Sequence, residues 1–381
     1  MNNPLQKIKT CVRELRAYGL VPERATVKIN QNENPWDAPD CVKRESLRRL
    51  AKHAWSRYPD FVPAGLHERL ADFAGWTAHG IISGNGSNEL IQALLMVTVE
   101  KGKRVLISEP TFALYKQIST VLGGEVRSVP LNYSLTYDIP ALIKAVQTFQ
   151  PDITILCSPN NPTGCQLSDL DLMSLLEVSK GLVAIDEAYF EFAEHTVVPL
   201  LHQHRNLVVL RTFSKALALA GLRVGYLLAA PELVREIGKA VLPYNLNVMS
   251  QAVAEVVLEM YATDLKPQIE QIIVERERLY VGLKSIDGLD PVPSQGNFMI
   301  VRSTLNPRFV FKELLNCDIL IRDVSGYPML VDFFRVSVGT PAENDLLLAA
   351  LERIFKLSRK RLSTETSNTC SHLDAVSTTS R

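Results

Sequence analysis

Two charged residues in the run RTFSKALALAGLRVGY (211–226) stand where the pattern reads as interior. The apolar stretch NLVVL (206–210) leads directly into Ser214 and Lys215, and Arg223 interrupts the apolar residues that follow. Lys and Arg are seldom buried without partners, so this stretch asks for something to meet them. Asp186 poses the mirror problem. It closes GLVAID (181–186), where a carboxylate is costly unless a cation faces it. Tyr189 follows three residues later, SPNNPTG (158–164) offers the amide of Asn161, and EPTFALY (109–115) offers the ring of Phe112. In SGNGSNE (83–89), Gly84 and Gly86 permit a tight turn, and Ser87 and Asn88 open a helical pattern. Free backbone N–H groups and the helix dipole make such a place an anion site. Singly, each feature has a plainer reading: a glycine turn with a Ser N-cap, a core Phe, an Asn/Pro turn, an Asp N-cap.

The elements that would position these groups alternate regularly. Strands are expected near 80–83, 104–108, 125–130, 152–157, 181–186, 206–211 and 224–229. Helical patterns lie between them, among them 88–102, closed by Gly102, and 167–181, opened by Ser168 and closed by Gly181. Continuous apolar strands with intervening helices predict an α/β fold, a mostly parallel seven-stranded sheet sandwiched by helices. After residue 248 a helical pattern runs to about 284, followed by strands at 297–302, 319–323 and 333–338, a smaller α+β unit. The resulting division is an arm over 1–35, a large domain over 36–265, a small domain over 266–358 and an unstructured Ser/Thr-rich tail over 359–381.

Ligands of open α/β sheets bind beyond the carboxyl ends of the strands, and every group named above follows a strand. One sheet edge would therefore carry an anion loop, an aromatic face, an Asn, an Asp, a Tyr, a Ser, a Lys and an Arg. That set fits pyridoxal 5′-phosphate. Lys215 would condense with its aldehyde, and Asp186 would keep its ring nitrogen protonated. Tyr189 and Asn161 would bond the ring hydroxyl oxygen, and Phe112 would stack on the ring. Gly86, Ser87, Asn88, Ser214 and Arg223 would seat the phosphate. A Lys in this role needs a depressed pKa, which burial and neighbouring cations can supply.

Composition narrows the alternatives. Lys+Arg and Asp+Glu both total 41 among 381 residues, so no bulk field recruits nucleic acid or an anionic membrane. No stretch approaches the roughly 20 apolar residues of a membrane span, and the first residues lack the apolar centre of a signal peptide. Six scattered cysteines without a CxxC pair read as reduced thiols, and a cytoplasmic setting is expected. The seven histidines show no metal spacing, so no metal is expected. The glycine pattern lacks the last Gly of a dinucleotide fingerprint.

SPNNPTG, IDEAYFEF and RTFSKALALAGLRVGY, in this order and spacing, resemble the fold-type I pyridoxal-phosphate aminotransferases, and more narrowly the histidinol-phosphate aminotransferase group. INQNENP (29–35), RYPD (57–60), SQGNF (294–298), ILIRD (319–323) and FRVSVGT (334–340) extend the likeness from about residue 18 to 341. The resemblance implies transamination between L-histidinol phosphate and 2-oxoglutarate in histidine biosynthesis, with Lys215 as catalytic base and acid and Asp186 and Tyr189 assisting. It implies that Arg335 binds the substrate's anionic end, helped by Arg322 and Tyr18, with Asn32 of the arm nearby. It also implies a homodimer in which Tyr58 reaches the cofactor phosphate of the neighbouring subunit. Position 112 is often Tyr and position 88 often Asp in such relatives, whereas this chain has Phe112 and Asn88. Threonine-phosphate decarboxylase and aromatic aminotransferase activity are the alternatives within the same family.

Overall fold

The computed structural model describes residues 3–15, 19 and 23–376, with side chains as far as 358; Tyr18 lies outside the described residues. The first strand, β1 (Val27–Lys28), belongs to the arm. Seven strands then form one sheet: β2 (Ile81–Gly84), β3 (Arg104–Glu109), β4 (Glu125–Pro130), β5 (Ile153–Cys157), β6 (Leu182–Asp186), β7 (Leu207–Thr212) and β8 (Gly225–Ala229). Their order across the sheet is β2-β8-β7-β6-β5-β3-β4. β3 to β7 pair in parallel, while β8 runs antiparallel to both neighbours, β2 and β7.

Alternate residues of each central strand enter different cores. Leu207 and Val209 of β7 pack into one cluster, and Val208 and Leu210 into another across the sheet. Both faces are therefore covered, as the uninterrupted apolar runs predict. Each such Leu or Val contributes about 1.5–3 kcal/mol on burial. The strands that carry the site are held on both sides. Because β8 runs back, its first residue, Gly225, lies opposite both Gly84 and Thr212. That reversal brings Arg223 to the edge where the parallel strands end.

The smaller sheet is antiparallel, β12 (Arg322–Asp323), β13 (Phe333–Ser337), β10 (Phe298–Ser303) and β9 (Leu289–Pro291). The expected strand at 319–323 divides in two. Its first half, β11 (Ile319–Leu320), pairs in parallel with β1, and its second half, β12, joins the smaller sheet. The arm is thus fastened to the smaller unit.

Several expected boundaries shift. The helix anticipated over 88–102 spans Ser87–Thr98 and gives way to extended backbone at Val99, where the β-branched run Val97-Thr98-Val99 disfavours further turns. The helix anticipated over 167–181 is Asp169–Val178, capped by Ser168, and Ser179 ties its hydroxyl back to the carbonyl of Leu175. The pattern from 248 to 284 is two helices, Val248–Glu259 and Lys266–Lys284, joined by a π-helical turn at Tyr261–Leu265. The helix that opens at Pro341 continues through Val376, so the backbone of 359–376 is helical where the composition suggests no order. No Gly or Pro interrupts that run.

Candidate active site

The anion corner is built by close approach of backbone. Gly86, at φ 80°, caps the helix Ser87–Thr98, and no side chain caps it. The cap is therefore Gly86 and not Ser87, which leaves the serine hydroxyl facing the cavity. A Cβ on Gly86 would meet the Arg223 guanidinium at 2.2 Å, and one on Gly225 would meet the Ser87 backbone nitrogen at 2.3 Å. Arg223 has φ 55°, a left-handed conformation costing an L-residue roughly 1–2 kcal/mol. Its Nη1 donates to Ser214 Oγ at 3.1 Å and to the carbonyl of Ala220 at 3.1 Å. Thr212 Oγ1 donates to the same Ser214 Oγ at 2.9 Å. A helix N-terminus, two hydroxyls and a guanidinium converge there. The arrangement fits a phosphate dianion.

Asp186 ends β6 in the interior, only 3% exposed. Its Oδ2 accepts from Tyr115 Oη at 2.6 Å and its Oδ1 from the Ala188 N–H at 3.1 Å. Loss of water pushes its pKa up to about 6, against the Tyr115 bond, which lowers it. The N-cap reading fails, because the short helix Phe190–Ala193 is capped by Tyr189. Tyr115 was not singled out from the sequence. Its signal was its place at the end of EPTFALY, one helical turn beyond Phe112. The two rings sit 5.5 Å apart, edge to face.

Lys215 follows β7, and its Nζ donates to the carbonyl of Gln31 at 2.8 Å. Loss of solvation, then the positive charge of Arg335, pushes its ammonium down to about 7. Across the cavity, Tyr189 Oη accepts from Asn32 Nδ2 at 3.0 Å and from Asn161 Nδ2 at 3.2 Å. Burial holds this phenol above its ordinary range. Arg335 Nη1 donates to Asn161 Oδ1 at 2.6 Å, and Nη2 donates to the carbonyl of Asn30 at 2.8 Å. Arg322 and Arg335 are direct cross-strand partners on β12 and β13. Like charges placed opposite each other destabilise a sheet, so this pairing suits a bound anion.

These groups surround one cavity of about 300 Å³, lined by Asn32, Ser87, Asn88, Phe112, Asn161, Asp186, Tyr189, Ser214, Lys215, Arg223, Arg322 and Arg335. Thr212, Cys157 and Tyr115 also line it and were not anticipated. Tyr58 is not part of this wall. It is 81% exposed and stacks on Tyr244 with ring centres 4.5 Å apart. Among the described residues no group of His, Cys, Asp or Glu could hold a metal ion, and no helix is long and apolar enough to cross a membrane. The residues present fit pyridoxal 5′-phosphate: a low-pKa amine, a buried carboxylate across from it, a flat ring and an anion seat.

The chain matches the family model "Aminotransferase class I and II" over residues 24–351. A protein from Chlorobium luteolum named histidinol-phosphate aminotransferase is 39% identical over 357 residues, 93% of this chain and 98% of that one. A protein of the same name from Chlorobaculum tepidum is 38% identical over 333 residues, 87% and 95% of the two chains. The crystal structure of histidinol-phosphate aminotransferase from Sinorhizobium meliloti in complex with pyridoxal-5′-phosphate superposes with a TM-score of 0.82 at 25% identity, covering 92% of this chain and 98% of that one.

Proposed function

The chain belongs to the class I and II aminotransferases, and we propose that it transfers an amino group with pyridoxal 5′-phosphate as cofactor. The substrates are L-histidinol phosphate and 2-oxoglutarate, and the products are imidazole acetol phosphate and L-glutamate, a step of histidine biosynthesis. The observation that carries this reading is the pairing of Arg322 with Arg335 in the same cavity as Lys215 and Asp186. A double guanidinium accepts a phosphate or a carboxylate equally well, as one pocket must when histidinol phosphate and glutamate take turns in it.

When bound, pyridoxal phosphate supplies an aldehyde for the substrate's amine and a ring that accepts electron density. The chain's residues direct that chemistry. Asp186, kept oriented by Tyr115 and the Ala188 amide, holds a proton at the ring nitrogen. Lys215 Nζ, with its pKa lowered to about 7, is a free amine in about half of the molecules at neutral pH and takes the substrate's α-proton. The same nitrogen, protonated in that transfer, would serve as the acid that returns the proton. Tyr189 and Asn161 would hold the ring oxygen, Phe112 would cover the ring, and Gly86, Ser87, Asn88, Ser214 and Arg223 would seat the phosphate. Arg335 and Arg322 hold the far end of the substrate, beside Asn32.

The working unit is a cytoplasmic homodimer, with a large domain over 36–265, a small one over 266–358 and an arm over 1–35. Trp55, Tyr58, Phe61, Val62 and Tyr244 form an exposed apolar surface that suits a second copy, with Tyr58 of each subunit reaching the cofactor phosphate of the other. The test is glutamate formation from 2-oxoglutarate when histidinol phosphate is the donor. Carbon dioxide release from threonine phosphate without any acceptor, and no glutamate, would replace transamination by decarboxylation.

A further inference from the structure

Ser337 does not itself line the cavity, yet it bonds a residue that does, Asn32. The serine lies on β13 two residues beyond Arg335 and is 2% exposed. Its Oγ accepts from the backbone N–H of Asn32 at 2.8 Å and donates to Asn32 Oδ1 at 3.0 Å. Asn32 itself is 1% exposed, has φ 55°, and its carbonyl accepts from Asn297 Nδ2 at 3.1 Å. Backbone and side-chain oxygen of Asn32 are therefore both held, and its Nδ2 is left to face Tyr189 Oη.

The direction of that last bond matters. A phenol oxygen accepts two hydrogen bonds and donates one. Both acceptor positions of Tyr189 are filled, by Asn32 Nδ2 and Asn161 Nδ2. Its own proton must then point elsewhere, and the cavity is where the hydroxyl opens. Were the Asn32 amide to turn over, Oδ1 would face Tyr189 and capture that proton. With Ser337 present, the turned amide would strand the serine proton without an acceptor in the interior. We propose that Ser337 is a positioning residue: by fixing the Asn32 amide it commits the Tyr189 hydroxyl to donate into the cavity, toward the ring oxygen of the cofactor.

This inference rests on the cofactor assignment above and is tested in holoenzyme by the pH titration of the cofactor's absorption band. A donor at the ring oxygen stabilises its anion and lowers the pH at which the band changes. Ser337→Ala should raise the midpoint by about one pH unit, a tenfold change in proton affinity. Ser337→Thr, which keeps the hydroxyl, should restore it. Asn32→Ala, which leaves no oxygen to capture the phenol proton, should keep the midpoint near the wild-type value, and Ser337→Ala should have no effect in that background, since it acts through the Asn32 amide. An unmoved Ser337→Ala midpoint beside a titrating wild type overturns the inference alone, as do shifts that simply add in the double variant. A wild-type band that does not titrate, with borohydride labelling no Lys215, overturns the cofactor reading and this inference with it.

Discussion

The cofactor-facing wall of the cavity comes from neighbouring strands of one sheet, whereas the anion-facing wall is assembled from segments hundreds of residues apart. Asn161, Asp186 and Lys215 follow β5, β6 and β7, whose pairing register sets their spacing, and both faces of those strands are packed. Asn30 and Asn32 come from the arm, and Arg322 and Arg335 from the smaller sheet. Side-chain bonds, such as the two between Asn32 and Ser337 across 305 positions, and the pairing of β1 with β11 join these two segments. The first wall is a packed frame for the group common to both half-reactions. The second is assembled from the arm and the smaller sheet, and it faces the end at which the two substrates differ.

Substitutions should separate the two walls. Lys215→Ala should reduce turnover by roughly 10⁴-fold or more and abolish borohydride labelling, since no other amine replaces a covalent and proton-transfer group. Retained activity would break the assignment of the first wall. Arg335→Leu should cost roughly 10- to 100-fold in kcat/KM in both half-reactions, the range of lost charge-assisted bonds. Loss in one half-reaction only would show two separate anion sites. The same variant should raise the Lys215 pKa from about 7, because Arg335 is a cause of its depression, so labelling of apoprotein by an amine-reactive probe should reach half-maximal rate at higher pH.

Tyr115→Phe should lower kcat roughly tenfold with little change in KM, because Asp186 loses its hydroxyl donor while the second wall is untouched. An equal fall in affinity for histidinol phosphate would mean that the walls are not independent. The smallest effect at neutral pH concerns the frame itself. His67 is buried against Ser83 at 3.0 Å, and burial pushes its pKa down from 6.5 to about 4. The unfolded chain therefore takes up this proton below about pH 6.5 while the folded chain refuses it. Stability falls as pH drops from 6.5 toward 4, by up to roughly 3 kcal/mol. His67→Gln should leave Tm at pH 7 nearly unchanged and flatten its decline at pH 4–6; an unaltered decline would place the acid sensitivity elsewhere.

Local pattern made much of this protein readable. All seven strands of the large sheet lie within a residue or two of where they are expected, and the central ones are plainest because strands covered on both faces must be apolar throughout, whereas the edge strand β4 alternates. The strand-end rule then collected Lys215, Asp186, Asn161, Ser87 and Arg223 without any knowledge of three-dimensional contacts. Tyr115 escaped because a Tyr in an amphipathic helix is indistinguishable from core until its hydroxyl is seen to meet a carboxylate. Ser337 and Thr212 escaped for the same reason. A hydroxyl in a buried strand acquires a role only from the partner that tertiary folding brings.

The sequence by itself determined the sheet, its sequence of loops and the identity of the groups at its edge, since these depend on periodicity and on the high cost of burying charge. Only the tertiary structure decided that β8 turns back to deliver Arg223, that one run of residues serves two sheets, and that Arg322 stands opposite Arg335. Those facts depend on which distant segments pair, and pairing is set by the packing of the whole chain and not by any residue's neighbours in sequence.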